Sequence, residues 1–289
     1  MVDARRFGVS THFLPATHGE TLLRAIEMVR AAGFGGFELV PADYQGNIGY
    51  PYTVRNVGVW PRTFGKEARS ELAEALRPFA FVTVHSPNLG VNIASINPGI
   101  REESVRQYME IMELAVDVGA EIVTWHCGKL TDGFVSPAED IIARDLDFGR
   151  RALDYARAHR LHVGYEVTAP FARLSRELDE LGPEFGLNLD IGHAAMGDVP
   201  PEGWIDRYGD RIIEVHFNSV FQLWDPGVFV EHQPMERNNV INYPAVFGRL
   251  KARNYQGPIV LEMLGNDIPQ ALDVCRRAMD GIVRLWEEV

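Results

Sequence analysis

The sequence predicts an α/β fold, a (β/α)8 barrel built by the whole chain (residues 1–289) as one domain. Three observations lead there. Eight short, β-branched apolar runs alternate with eight longer amphipathic stretches. The 289 residues match the size of one such barrel, and no long linker breaks the alternation. An open doubly wound sheet is the competing architecture. It uses fewer strands as a rule, and no Gly-x-Gly-x-x-Gly turn follows the first strand here.

In order, strands are read at RRFGVSTH (5–12), GGFELV (35–40), FVTVHS (81–86) and EIVTWHC (121–127). Four more follow at HVGYEVT (162–168), FGLNLDIG (185–192), IIEVHFNS (212–219) and GPIVLEML (257–264). Helical periodicity fills the gaps at 20–33, 70–80, 101–120, 137–159, 173–181, 201–209, 243–254 and 268–289. Gly33 and Gly119 stand where helix C-termini favour glycine. Three long strand-to-helix connections remain as loops, 41–68, 87–100 and 220–242, on the face where such barrels build their active sites. They carry Tyr44, Tyr50, Tyr52, Trp60, Trp224 and Phe229, which either pack the loops down or wall a pocket. Of these, Trp224 is taken as a substrate contact. Arg55, Arg62, Lys66 and Lys129 are basic loop residues, solvated or within reach of a phosphate.

The composition is that of an ordinary globular protein, 46% apolar and 24% charged. The formal charge of −12 is spread along the chain, with no basic block to hold a nucleic acid. The two cysteines, Cys127 and Cys275, lie far apart and define no disulfide framework; Cys127 is read as packing. MVDARRFGVS lacks the apolar core of a secretory signal, and no segment approaches the ~20 apolar residues of a membrane span. The expectation is a cytoplasmic protein.

Chemistry gathers at the carboxyl ends of the strands. The first ends in His12, the second contains Glu38, and the third ends in His85. The fourth carries His126, the fifth Glu166, the sixth Asp190 with His193 just beyond, the seventh His216 and the eighth Glu262. A single strand-end histidine could be a hydrogen-bonded core group, and Glu38 could brace a neighbour instead of facing a ligand. His159 and His162 fall at the opposite end of the barrel and His18 in a loop, so these three are read as structural or solvated. The set as a whole is harder to dismiss. Glu166, Asp190 and Glu262 cannot all stay ionised in one buried place without a compensating cation. A divalent metal bound by Glu166, Asp190, His216 and Glu262 supplies it, and mixed carboxylate–imidazole ligation suits Zn²⁺, Mn²⁺ or Co²⁺.

The ordered set VHSPNLGVNIAS, IREESV, VTWHCG, YEVT, LDIGHA, VHFNS and VLEM resembles the xylose-isomerase-like TIM barrel superfamily over essentially the whole chain. That superfamily includes sugar and sugar-phosphate isomerases and epimerases and the abasic-site endonucleases. The resemblance to the epimerases implies one metal on Glu166, Asp190, His216 and Glu262, with His193 touching substrate. The resemblance to the endonucleases implies His85, His126 and His232 as further ligands, so that the count runs from one to three ions. Two positions depart from the endonuclease pattern: Val230 stands where a carboxylate is expected, with Glu231 adjacent, and Asn88 where an aromatic wedge is expected.

The function expected is therefore a metal-dependent isomerase or epimerase acting on a sugar, polyol or sugar phosphate. Proton transfer passes through an enediolate, with Glu166, Glu262 and His193 catalytic and His12, Glu38 and Trp224 binding substrate. The alternatives are an endonuclease-like metal-dependent phosphodiesterase and a lyase, such as a C-glycoside-cleaving enzyme, using the same metal site. The expected partner is a small carbohydrate, with neither nucleic acid nor membrane; a homo-oligomer is compatible with the sequence.

Overall fold

Eight strands pair in parallel and close on themselves. The computed structural model describes residues 3–18, 20–41, 45–47, 53–55, 60–87, 90–129, 138–223 and 227–289. The barrel strands are β1 (Phe7–Ser10), β2 (Gly36–Leu39), β5 (Phe81–His85), β6 (Ile122–His126), β7 (His162–Glu166), β8 (Gly186–Asp190), β9 (Ile212–Phe217) and β12 (Ile259–Leu261). They neighbour one another in that order, and β12 returns to β1. Helices α1 (Leu22–Ala31), α2 (Lys66–Leu76), α3 (Pro98–Val118), α4 (Ala138–His159), α5 (Phe171–Leu181), α7 (Pro201–Tyr208), α8 (Tyr243–Ala252) and α9 (Ile268–Glu288) follow the strands. This is the expected (β/α)8 barrel, and every strand and helix read from the sequence is present.

Side-chain parity organises each strand, since successive residues of a strand face opposite ways. Val123, Trp125, Val163, Tyr165, Leu187, Leu189, Val215 and Phe217 join the apolar core. Trp125 alone meets Tyr108, Phe148, Tyr165 and Phe185 edge-on or nearly so. The alternate residues belong to the barrel interior, which is apolar and tight at the bottom and polar at the top. At the bottom the Phe81 ring fills the space that Gly8 and Gly36 leave open; a Cβ on Gly36 would lie 1.9 Å from the ring. Gly36→Ala is expected to cost about 1–3 kcal/mol through overpacking. Chemical denaturation would read the loss, and pairing it with Phe81→Leu should recover part of it.

Helix ends follow local rules. Asn97 caps α3, Pro98 occupies its first turn, and Gly119 closes it at φ 75°. Thr21 and Asp267 cap α1 and α9 through their side chains.

The long connections hold structure that the sequence reading treated as loop. β3 (Gln45–Asn47) pairs with β4 (Thr53–Arg55), and β10 (Ser219–Gln222) pairs with β11 (Phe229–Gln233), both antiparallel. A six-residue helix, α6 (Ile191–Met196), follows β8 directly. It is too short for periodicity to reveal, and its first residues were read as the tail of the strand. Tyr44, Tyr50, Tyr52, Asn88 and Trp224, the last of these the expected substrate contact, lie outside the described residues. Among the described residues no helix is long and apolar enough to cross a membrane.

Candidate metal centre

The sequence LDIGHA serves two purposes at the tip of β8. Asp190 is the N-cap of α6, its Oδ1 accepting the His193 N–H at 2.7 Å. Asn218, two residues after His216 and on the same side of its strand, donates to both oxygens of Asp190 at 2.9 and 2.8 Å. Gly192 permits that approach: a Cβ there would lie 1.8 Å from Asn218 Oδ1. The fully buried carboxylate is thereby fixed.

Glu166, the last residue of β7, is the hub. Its Oε2 lies 2.6 Å from both His85 Nε2 and His126 Nε2, and its Oε1 is 3.1 Å from His193 Nδ1 and 3.6 Å from His216 Nδ1. Glu262, just past β12, also approaches His216 Nδ1, at 3.4 Å. Burial opposes ionisation of Glu166, but the imidazoles of His126 and His85 outweigh it and hold the carboxyl well below its ordinary range. Burial, together with the charges of Glu38, Glu166 and Asp190, pushes Glu262 well up. Burial and Glu166 push Asp190 up to about 6. His193 and His216 are raised well above their ordinary value, as nearby carboxylates overcome the cost of burial.

These side chains fit a divalent ion. His193 Nδ1 and His216 Nδ1 are buried and make no hydrogen bond, although carboxylate oxygens surround them. An ion between them would use those lone pairs and offset the crowded negative charge. Ligating atoms within 4.8 Å of one another occur in the sets His85–His126–Glu166, Glu166–Asp190–His193 and Asp190–His216–Glu262.

A further set, His193–Glu231–His232, meets the same criterion. Glu231 and His232 are consecutive on β11 and in a regular strand would face opposite sides. The β10–β11 register slips between Ser219 and Phe221, and His232 takes φ 58°, so the strand bulges and turns both side chains to the site. His193 Nε2 lies 3.3 Å from Glu231 Oε2. Val230, at the position where the resemblance expected a carboxylate, is 38% exposed; the bulge delivers its neighbour instead.

Beside this cluster opens a cleft of about 600 Å³ lined by His126, His193, Glu231, Lys129, Thr168 and Trp204, among others. A sequence model described as the xylose isomerase-like TIM barrel matches residues 26–280. The chain belongs to that family. Its members' fold is seen again in a D-tagatose 3-epimerase-like protein, 20% identical with a TM-score of 0.74 over 98% of each chain. The IolI protein with a bound zinc atom is 14% identical with a TM-score of 0.75, again over 98% of each chain. At these identities the likeness is one of fold. The uncharacterized protein MJ1311 of Methanocaldococcus jannaschii is 24% identical over 194 residues, 63% of this chain and 64% of that protein, so the match spans less than two thirds of the relative.

Within this xylose isomerase-like barrel the expected residues divide. His85, His126, Glu166, Asp190, His193, His216, His232 and Glu262 converge. His12, half-buried on the turn after β1, is near enough to His85, His232 and Glu166 to feel their charges. Glu38, expected either to touch substrate or to brace a neighbour, is placed for the second of these. It is fully buried below the cluster with Oε2 2.9 Å from His216 Nε2, so it orients the ring whose Nδ1 points to the site. Glu214 and Asn188 approach the same His216 Nε2 and were not foreseen. Parity held the signal: Glu214, His216 and Asn218 alternate along one strand, as do Asn188 and Asp190. Arg62 is occupied by Glu103 and Glu110.

Proposed function

We propose that this chain is a metal-dependent isomerase or epimerase of small carbohydrates that moves a proton on the carbon next to a carbonyl. One observation carries the reading: Glu166 and Glu262, from the strands that flank β8 and β9, both approach the same His216 Nδ1, at 3.6 and 3.4 Å, with Asp190 beside it. Glu166, Asp190, His216 and Glu262 would hold the ion, which when bound supplies Lewis acidity towards adjacent carbonyl and hydroxyl oxygens. Glu166 and Glu262 are placed to take and return the proton from opposite faces. In the metal-free protein burial and neighbouring carboxylates favour a proton on Glu262, while the imidazoles of His126 and His85 keep Glu166 ionised. His193 and His12 orient substrate oxygens. Among the described residues Lys129 is the single lysine or arginine lining the cleft, which supports a small substrate over a polyphosphate strand.

The test is solvent exchange. Metal-loaded protein incubated with ketoses, inososes, keto sugar acids and ketose phosphates in D₂O should place deuterium on the carbon beside the carbonyl. No exchange with any of them would remove the proposal.

A second reading, a metal-dependent phosphodiesterase, is favoured by the imidazole pair on Glu166 and the bulge-borne His193–Glu231–His232 set. Elemental analysis separates the two: one tightly held ion per chain supports the isomerase, and two or three support hydrolysis.

A further inference from the structure

Lys129 follows His126 by three residues, so the two α-carbons stand no more than ~10 Å apart. Both line the same cleft. Lys129 is exposed and has no ion-pair partner among the described residues. The other charged groups on the cleft wall are engaged, Glu231 with His193 and Asp198 with the Phe171 N–H.

The backbone that carries this lysine is held by side chains on both its N–H and its C=O groups. Asp145, fully buried on α4, accepts the Gly128 N–H at 2.9 Å, and Arg173 on α5 donates to the Gly128 carbonyl at 2.7 Å. Asn92 accepts the Lys129 N–H at 3.1 Å and donates to its carbonyl at 2.8 Å. Four backbone groups in two residues are thus satisfied by side chains from three separate parts of the chain. Arg173 pairs in turn with Asp145 and Glu177, which places three charged residues behind one short segment. Gly128 admits no side chain, since a Cβ would meet Ala94 Cβ at 2.2 Å and Asp145 Oδ1 at 2.6 Å. A bare loop turn has no need of such a clamp; a cation that must sit at a fixed distance from a reacting centre does.

We infer that the ligand of this cleft carries an anionic group, a carboxylate or a phosphate, that Lys129 receives while the uncharged remainder reaches His126 and His193. The inference rests on the proposed function only in taking this cleft as the substrate site. It narrows the substrate class to sugar acids or sugar phosphates.

Calorimetric titration of the Mn²⁺-loaded protein with D-fructose, D-fructuronate and D-fructose 6-phosphate tests it through binding, whether or not a probe is turned over. At least one anionic probe should bind about ten-fold or more tightly than fructose, the order expected of one charge-assisted contact. The stronger of the two identifies the group. Lys129→Ala should bring that probe to within about two-fold of fructose, and Lys129→Arg should keep most of the preference. Equal binding of all three, a preference that survives Lys129→Ala, or loss of fructose binding in that variant would each overturn the inference. An anion preference without deuterium exchange would sink the isomerase and leave Lys129 its role.

Discussion

Glu166→Gln is expected to lower carbon-bound deuterium exchange by at least about 10³-fold, within the range general acid–base groups supply. The same variant should lose bound metal, because Glu166 joins four of the imidazoles: His85 and His126 at 2.6 Å, His193 at 3.1 Å and His216 at 3.6 Å. Glutamine keeps the volume and removes the charge, so the barrel should stay folded. Its amide also presents N–H groups towards ring nitrogens that now face an oxygen. Exchange assays and elemental analysis on the same preparation distinguish the roles. If metal is retained and exchange is lost, Glu166 acts chiefly on the proton; if both go, it acts chiefly as a ligand. Exchange at the wild-type rate would refute the assignment.

Chelation should destabilise the protein strongly and in a pH-dependent way. A ligand present at about a thousand times its dissociation constant stabilises the native state by about 4 kcal/mol. For a chain of this size that corresponds to a midpoint lowered by roughly 8–16 °C when the metal is stripped. The sign of the pH effect follows from the donors. Asp190, raised to about 6, and Glu262, raised well above its ordinary value, hold protons in the metal-free folded state as pH falls through that range. The raised His193 and His216 do the same. Metal must displace those protons, so its apparent affinity declines on acidification. His126 and His232, both pushed down to about 4 by burial, stay neutral in this window and do not compete. Thermal melts with and without chelator should therefore differ most near pH 7.5 and converge near pH 5. A midpoint indifferent to chelation at neutral pH would argue against a structural dication between these carboxylates.

Much of this centre was legible in one dimension because strand parity is covalent. A polar residue at every second position of an otherwise apolar run, as in Asn188 and Asp190 or in Glu214 and His216, announces an interior that is not purely apolar. The same reasoning placed His85, His126, Glu166 and Glu262 on one rim. It could not say which of them meet. Glu38 shows the limit: its strand and face were evident, yet its partner is the ring of His216, 178 residues away. Glu231 shows another, since the residue type sat one position from where the family pattern wanted it, and a bulge set by pairing with β10 made up the difference.

The order of strands and helices, the barrel they close into, and the presence of carboxylates and imidazoles at the strand tips were determined by the sequence alone, because hydrophobic period and turn chemistry are local properties. Tertiary structure alone decided that Glu166 is the shared hub, that Asn218 and Gly192 fix Asp190, and that Asn92, Asp145 and Arg173 hold the backbone of Lys129. Those pairings depend on barrel closure, strand register and one bulge, and each brings together atoms that no local spacing relates.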